Sequence, residues 1–288
     1  MIKEDTIRET VVELLEKAVI SLPDDVVKAL SAAHEREEGI ARTNLKAILD
    51  NIIYARKSSK PLCQDTGLPV FYVRIGSRAD VDLGHIENAI RQGVRDATKK
   101  IPLRSNVVHP LTRKNSGDNT GEGMPAIEFE MVDAANFLEI TVLPKGAGSE
   151  NMSALKMLTP SAGLSGVKRF VLETVAAAGG NPCPPTIIGV GIGGTADESC
   201  RLSKKALLRT IGSRNKDADA ARLEEELFKA INGLGIGPMG LGGKTTSLAV
   251  HVEYAFCHTA SLPVAVSIQC WANRRATARI LGEKVVFL

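Results

Sequence analysis

The first part of the chain shows the apolar spacing of amphipathic helices. Its hydrophobic residues recur at intervals of three and four, as at Ile7, Val11, Leu14, Leu15 and Ala18. This spacing places them on one helical face. The Pro-Asp-Asp sequence at 23–25 suits the N-terminus of a second helix, and the same spacing continues through 44–54. Residues 1–55 are therefore predicted to be mainly helical.

Beyond this region, apolar runs typical of strands alternate with helical patterns. Runs rich in β-branched residues predict strands over 69–75, 127–131, 138–143, 186–191, 248–254 and 263–268. Helical spacing predicts helices over 85–99, 164–178, 196–209 and 218–232. The polar, glycine-rich stretch 113–125 is predicted to be a loop. Together these elements predict an α/β (mixed α+β) fold, in which a helical N-terminal region precedes a mixed sheet with surrounding helices. No repeat or linker is visible, so 1–288 is predicted to be a single domain.

Charge and composition limit the kinds of molecule that this chain is expected to bind. The chain has 36 basic and 33 acidic residues, a net charge of +3, and 44% hydrophobic residues. The charges are mixed in sign along the sequence, which gives no reason to expect nucleic acid or an anionic membrane as a partner. Charged residues interrupt every N-terminal apolar run, and no window approaches the roughly 18 apolar residues of a membrane span. We expect a cytoplasmic protein.

The five cysteines indicate a reducing compartment. An odd number of cysteines in a chain of this size does not suit a disulfide framework. No two of them form a CxxC pair, so any metal site must use ligands that the fold brings together. Cys200 and Cys257 are interpreted as packing residues. The other three have distinctive neighbours: Cys63 precedes Gln-Asp-Thr-Gly, Cys183 lies between prolines, and Cys270 ends a predicted strand.

The sequence Cys63-Gln64-Asp65-Thr66-Gly67 has two interpretations. In the first it is a buried thiol beside a turn, because Asp, Thr and Gly are common turn residues and free cysteine packs as a small hydrophobe. In the second the thiol is a metal ligand, and the polar groups beside it orient a substrate. This stretch alone does not decide between them.

Two glycine motifs suggest nucleotide binding only weakly. The run Gly189-Val-Gly191-Ile-Gly193-Gly194 satisfies G-x-G-x-x-G between a predicted strand and helix. No acidic residue ends a neighbouring strand about 20 residues later, so the dinucleotide fingerprint lacks its second half. The sequence at 243–245 resembles the end of a phosphate-binding loop, but Pro238 occupies the position of the required glycine. A nucleotide-binding oxidoreductase therefore stays an alternative, as does an accessory binding module whose cysteines only pack.

Five ordered motifs together resemble one known family. They are CQDTG at 63–67, KGAGSEN at 145–151, NPCPPTIIGVGIGGT at 181–195, LGIGPMGLGG at 234–243 and HTASLPVAVSIQCWANRR at 258–275. In these motifs the chain resembles the α subunit of class I, iron–sulfur-dependent fumarate hydratases, a family that includes L-tartrate dehydratases. The resemblance extends from about residue 50 almost to the C-terminus. Five motifs in order are far more specific than any single glycine pattern.

The resemblance implies a 4Fe-4S cluster bound by three thiolates. The matching positions are Cys63, Cys183 and Cys270, and the fourth iron would have no protein ligand. An iron with an open position is a Lewis acid that can bind a substrate hydroxyl and carboxylate. The implied activity is a hydro-lyase reaction, the reversible hydration of fumarate to L-malate.

The resemblance also assigns the polar groups of the site. Asp65 and His258 match catalytic positions, with Asp65 handling a proton of the substrate hydroxyl or of bound water. Gln64 and Arg104 match groups that orient substrate carboxylates, since a planar guanidinium suits that ligand. Gly146 matches a backbone contact to the substrate. Asp65 and His258 are expected to contact the substrate as well.

The family resemblance further implies a partner chain. Single-chain members continue into a second domain that resembles the β subunit of two-chain enzymes, and the present chain ends before it. We therefore expect a separate β subunit that carries the remaining catalytic residues, in an αβ heterodimer or larger assembly. The expected substrate is a small dicarboxylate. The KGAGSEN and GIGGT stretches favour fumarate and malate, and an L-tartrate dehydratase α subunit is the alternative.

Overall fold

The computed structural model describes residues 1–288. Its helices are α1 (Glu4–Ile20), α2 (Asp24–Arg36), α3 (Gly39–Ser58), α4 (Leu83–Lys100), α5 (Ala147–Glu150), α6 (Gly163–Ala178), α7 (Ala196–Ala206) and α8 (Ala218–Asn232). Its strands are β1 (Leu68–Gly76), β2 (Ala126–Val132), β3 (Leu138–Lys145), β4 (Ala154–Leu158), β5 (Thr186–Gly193), β6 (Ser247–Ala255), β7 (Leu262–Gln269), β8 (Ala276–Leu281) and β9 (Lys284–Phe287). The predicted mixed α/β fold is confirmed.

The chain divides into two compact units. Unit 1 comprises Met1–Pro23, Ile52–Gly146 and Arg274–Leu288, and unit 2 comprises Asp24–Asn51 and Ala147–Asn273. The chain therefore passes from one unit to the other at four points, one of them inside α3. Because each unit is assembled from separated segments, no single stretch of sequence has the composition of a linker.

Unit 1 contains a five-stranded sheet in the order β2-β1-β3-β8-β9. The strands β1 and β2 are parallel, and the other neighbours are antiparallel. Alternate residues of β1, such as Phe71 and Val73, are fully buried in a core that also contains Ile7 and Val11 of α1 and Ile90 of α4. This alternation follows from the period of two in a strand, and it fixes the register of β1. The start of β1, directly after residues 63–67, is thereby held in place.

Unit 2 contains a four-stranded sheet in the order β4-β7-β5-β6. The strands β5 and β6 are parallel, whereas β7 is antiparallel to both β4 and β5. Helices α6 and α8 contribute Val171 and Leu227 to the same buried core as Ile188 and Val190 of β5. The loops that follow β7 and precede β5 carry two of the cysteines of interest.

The glycines of the G-x-G-x-x-G run are explained by close packing of α7 on β5. A Cβ at Gly189 would overlap the carbonyl oxygen of Ser203, and a Cβ at Gly191 would overlap that of Ser199. A Cβ at Gly193 would overlap the carbonyl oxygen of Ala255. Backbone atoms cannot move aside as a flexible side chain can. Packing alone therefore requires glycine at these positions, and no bound nucleotide is needed to explain them. This packing weakens the case for the oxidoreductase alternative.

Most predicted elements coincide with observed ones, but three strands were not predicted. The strands β4, β8 and β9 are short, and β4 exposes Leu155 and Met157 at the edge of its sheet. The helix predicted over 196–209 ends at Ala206. None of the helices combines the length and the apolar composition needed to cross a membrane.

Candidate active site

In unit 1, residues 63–67 form a tight loop held by its own side chains. The Asp65 Oδ1 atom accepts hydrogen bonds from the Gly67 N–H at 2.9 Å and from Asn106 Nδ2 at 3.2 Å. Gly67 has a φ of +85°, and a Cβ there would lie 2.6 Å from the carbonyl carbon of Pro144. The Asp-Thr-Gly sequence is thus an Asx turn that requires glycine at its third position. The turn fixes the position of the Asp65 carboxylate.

The same loop presents Cys63 and Gln64. Cys63 is half-buried, and its thiol donates to Gln64 Oε1 over 3.6 Å. Gln64 itself is exposed. The loop therefore places a thiol, an amide and a carboxylate side by side on a constrained backbone. This arrangement fits the interpretation of residues 63–65 as ligand-binding groups.

Arg104 is connected to this loop through its backbone. The Arg104 N–H donates to Thr66 Oγ1 at 3.0 Å, and its carbonyl accepts from Asn119 Nδ2 at 3.1 Å. Thr66 is buried, whereas the Arg104 side chain is exposed. The segment after α4 is therefore anchored beside the Asx turn, and the guanidinium of Arg104 is accessible to a ligand.

Gly146 and an arginine that the sequence did not single out complete the unit 1 cluster. A Cβ at Gly146 would lie 3.3 Å from Asp65 Oδ2 and 3.4 Å from Arg274 Nη2. Arg274 Nη1 donates to the Asp65 carbonyl at 2.6 Å, and the residue is only 1% exposed. Asp65, Gly146 and Arg274 thus lie together in unit 1. The position of Arg274 in the run that follows Cys270 was the one feature of the sequence that pointed to a role for it. Its burial could not be predicted, because a sequence does not distinguish exposed from buried arginines.

In unit 2, the fold brings the backbones around two cysteines together. Cys183 has a φ of +54°, an uncommon value for a residue other than glycine, and its N–H donates to the Gly180 carbonyl at 3.0 Å. The Cys183 carbonyl accepts from the Trp271 N–H at 3.1 Å, directly next to Cys270. Backbone strain of this kind is often found at functional sites. The loop before β5 and the segment after β7 therefore form one structural feature.

The glycine-dense run 234–243 supports the Cys183 loop. The Met239 N–H donates to the Pro184 carbonyl at 2.8 Å, and a Cβ at Gly240 would lie 2.6 Å from the Cα of Gly180. On its other side the run is held by buried Glu37, whose Oε2 accepts from the Lys244 N–H at 3.0 Å. The glycines before residues 243–245, a stretch that resembles a phosphate-binding loop, thus have a packing role.

The contact between Gly240 and Gly180 leads to a prediction for a matched pair of variants. We expect Gly240→Ala to destabilise the protein by about 1–3 kcal/mol more than Gly242→Ala, because overpacking moves backbone. Both glycines have positive φ, +76° and +85°, but only at Gly240 would an added Cβ have other atoms within 4 Å. Urea unfolding measures the difference, and equal destabilisation of the two variants would contradict it.

His258 lies in the exposed connection between β6 and β7. Its Nδ1 accepts from the Ala260 N–H at 3.1 Å, and its carbonyl accepts from the Ser261 N–H at 3.0 Å. These local bonds orient the imidazole and leave the proton on Nε2 in the neutral ring. The structure does not hydrogen-bond His258 to any other predicted site residue.

The thiols provide a test of whether the residues suit an iron–sulfur cluster. None of the five cysteines forms a disulfide; Cys63, Cys183 and Cys270 are half-buried, whereas Cys200 and Cys257 are exposed. Although the Cys200 residue is exposed, desolvation around its sulfur raises the pKa of the thiol, which makes it a poorer thiolate donor. The structure contains no group of three or more His, Cys, Asp or Glu side chains arranged to hold a metal ion. Cys63, Cys183 and Cys270 are thiols of partial burial, which suits thiolate ligation.

Comparison with known proteins identifies similar chains over nearly the whole sequence. Residues 8–279 match the family model of fumarate hydratase (Fumerase). A Methanocaldococcus jannaschii protein named "Putative L(+)-tartrate dehydratase subunit alpha" is 53% identical over 277 residues, 95% of this chain and 97% of the relative. Proteins named L(+)-tartrate dehydratase subunit alpha from Escherichia coli and Shigella sonnei are 40% and 39% identical, each over 91% of this chain and 86% of the relative.

Proposed function

The chain belongs to the fumarate hydratase family, and we propose that it is the α subunit of an iron–sulfur hydro-lyase that hydrates fumarate to L-malate. The family and the names of the relatives support a hydro-lyase activity. The observation that carries the proposal is that Asp65, on the same constrained loop as Cys63, lies together with Gly146 and Arg274. This cluster places a carboxylate and a guanidinium together beside the loop that carries Cys63, and such groups suit the binding of a small acidic substrate.

The reaction sets two requirements for the site. Dehydration of a 2-hydroxy acid must assist a poor leaving group, hydroxide, and must remove a weakly acidic proton from the adjacent carbon. A bound 4Fe-4S cluster with one open iron would supply the Lewis acid for the first requirement. Cys63, Cys183 and Cys270 would hold that cluster.

The polar groups of unit 1 would bind and orient the substrate. Asp65 is proposed to hold or move the proton of the substrate hydroxyl at its carboxylate, which the Gly67 N–H and Asn106 Nδ2 hold in place through Oδ1. Exposed Arg104 and Gln64 are proposed to orient a substrate carboxylate. The backbone of Gly146, which lies beside Asp65, would contact the substrate. We propose a position near the substrate for His258, whose Nδ1 accepts a hydrogen bond from the Ala260 N–H.

A separate β subunit is proposed to complete the enzyme. The relatives are named as alpha subunits, which supports an assembly with a second type of chain. We propose an αβ heterodimer or a larger assembly in which the β chain supplies the remaining catalytic groups. Five thiols, none of them in a disulfide, suit a cytoplasmic location.

L-tartrate is the second candidate substrate. The KGAGSEN and GIGGT stretches favour fumarate and malate, whereas the relatives at 39–53% identity carry L(+)-tartrate dehydratase in their names. Malate and L-tartrate differ by one hydroxyl group. A site that hydrogen-bonds this hydroxyl discriminates strongly against a substrate that lacks it.

Activity measurements test both the partner and the substrate. We expect the chain co-expressed with its β subunit and assayed anaerobically to interconvert fumarate and malate, and the chain alone to have little activity. Values of kcat/KM for malate and L-tartrate decide the substrate, and we expect malate to be preferred by at least about tenfold. Preference for L-tartrate would transfer the assignment to the second candidate. Full activity of the chain alone would refute the need for a partner.

A further inference from the structure

The polar loop at 113–125 contains a buried side chain, Asn119. It is only 3% exposed, although residues 111–117 just before it are exposed. Its φ is +60°, a left-handed conformation that asparagine adopts more readily than most residues. Burial of a side-chain amide costs free energy unless the amide is hydrogen-bonded. The hydrogen-bond partners of Asn119 therefore show what its burial achieves.

The Asn119 amide bridges two backbone groups of the segment 104–106. Its Oδ1 accepts from the Asn106 N–H at 2.7 Å, and its Nδ2 donates to the Arg104 carbonyl at 3.1 Å. Its Nδ2 also donates to Thr98 Oγ1 of α4 at 3.2 Å. One planar side chain thus joins α4 to the segment that carries Arg104.

The segment 104–106 belongs to no helix or strand, and side chains hold its backbone. Thr66 Oγ1 accepts from the Arg104 N–H at 3.0 Å, and Asn106 Nδ2 donates to Asp65 Oδ1 at 3.2 Å. Thr66 and Asp65 belong to the Asx turn, whereas Asn119 belongs to the loop 113–125. The segment is therefore fixed both to the turn and to the loop.

Helix α4 gives this loop a rigid support. Arg91 Nη1 donates to the carbonyls of Gly121 and Met124, both at 2.8 Å. The apolar face of α4 is buried in the core of unit 1. A binding group that is supported from a packed helix is held more precisely than one on an unsupported loop. Asn119 thus extends the rigidity of α4 to the backbone of Arg104.

We propose that Asn119 is a positioning residue for substrate binding and that it acts through Arg104. This role rests on the proposed function, in which the exposed Arg104 guanidinium orients a carboxylate of a small dicarboxylic acid. Because Asn119 holds the Arg104 carbonyl and the Asn106 N–H, it restricts the backbone on which the guanidinium is mounted. An arginine on a fixed backbone loses less conformational entropy when it binds a carboxylate. Asn119 itself is buried and is not proposed to touch the substrate.

Equilibrium binding of an unreactive diacid tests this role. Succinate is a four-carbon dicarboxylate that has no hydroxyl to eliminate, and it is titrated by calorimetry into the anaerobically reconstituted αβ complex. Asn119→Gly deletes the amide and introduces a residue that tolerates a φ of +60°. We expect it to weaken succinate binding by about five- to fiftyfold, with an unchanged iron content. The KM of the preferred substrate should rise by a similar factor and kcat should fall less, since Asp65 keeps its bond from the Gly67 N–H.

A double-mutant cycle separates an action through Arg104 from a general structural role. Arg104→Ala removes the guanidinium and keeps the backbone carbonyl that Asn119 contacts. In that background, measured at higher succinate concentrations, Asn119→Gly should change the affinity by less than about twofold. Val11→Ala is the control for lost stability, because Val11 is fully buried in the core of unit 1. It should lower the temperature of thermal unfolding and keep succinate affinity within about twofold of the wild type.

A second variant covers the case in which Asn119→Gly does not fold. Asn119→Asp keeps an acceptor for the Asn106 N–H, and aspartate is also common at positive φ. A carboxylate cannot donate to the Arg104 carbonyl. The variant should therefore weaken succinate binding by at least about fivefold.

Each remaining outcome has a defined meaning. Wild-type succinate affinity in a folded Asn119→Gly or Asn119→Asp complex overturns the positioning role and leaves the proposed function intact. An equal effect of Asn119→Gly with and without the Arg104 guanidinium also overturns it, because the amide would then act independently of Arg104. Loss of iron in both Asn119 variants, with normal iron in Val11→Ala, would show that the loop serves the cluster ligands instead. A wild-type complex that neither binds succinate nor turns over malate or L-tartrate would refute the proposed function, and the role of Asn119 with it.

Discussion

Single replacement of Cys63, Cys183 or Cys270 by serine is expected to abolish activity and to remove most of the bound iron. Serine has nearly the shape of cysteine but is a much weaker ligand for iron in such clusters. Loss of Lewis-acid assistance is worth several kcal/mol, so we expect activity to fall by at least about 10³-fold. Iron and acid-labile sulfide per chain, determined after anaerobic reconstitution, measure the effect directly.

The two exposed cysteines are the matched controls for this experiment. Cys200→Ser and Cys257→Ser change the same atom outside the proposed ligand set, and both should keep iron and activity near the wild-type level. Circular dichroism should show all five variants folded. This includes Cys183→Ser, because serine and cysteine are equally restricted at the φ of +54° found there. Unchanged iron content in any one of the three ligand variants would remove that thiol from the ligand set. Unchanged iron in all three would favour a module whose cysteines only pack.

The parts of the fold that the sequence predicted are those determined by local periodicity. The strand β1 alternates buried Phe71 and Val73 with side chains on the other face, and α4 repeats its apolar residues at helical spacing. The strand β4 escaped prediction because it lies at a sheet edge with Leu155 and Met157 exposed, so burial imposes no alternation on it. The division into two units was not predictable, since it depends on contacts between segments far apart in sequence.

The site shows the same distinction between local and long-range information. The family resemblance assigned roles to Cys63, Gln64 and Asp65 through one short motif, and adjacent residues also form the turn that holds them. By contrast, the supporting role of the run 234–243 depends on the contact between Gly240 and Gly180, 60 residues apart. Arg274 was missed for a similar reason, since its burial and its bond to Asp65 join positions 209 residues apart.

Asp65→Asn is expected to lower kcat by about 10²–10⁴-fold, the usual contribution of a general acid or base. The amide has the shape of the carboxylate, and its Oδ1 can still accept from the Gly67 N–H and from Asn106 Nδ2. The Asx turn should therefore survive, and iron content and thermal unfolding should match those of the wild type. What the variant loses is the capacity of the carboxylate to hold and release a proton. Steady-state kinetics of the αβ complex measure kcat and KM separately.

Asp118→Asn is the control, because it changes a carboxylate in the same unit with the same kind of turn. Asp118 Oδ1 accepts from the Thr120 N–H at 3.0 Å and from the Thr120 hydroxyl at 2.8 Å, and an amide oxygen can accept both. Its kcat should stay within about twofold of the wild type. If Asp65→Asn retained full activity with its cluster intact, Asp65 could not be the group that moves the proton. If it lost iron instead, the carboxylate would be required to shape the loop around Cys63, and proton transfer would have to be assigned to another residue.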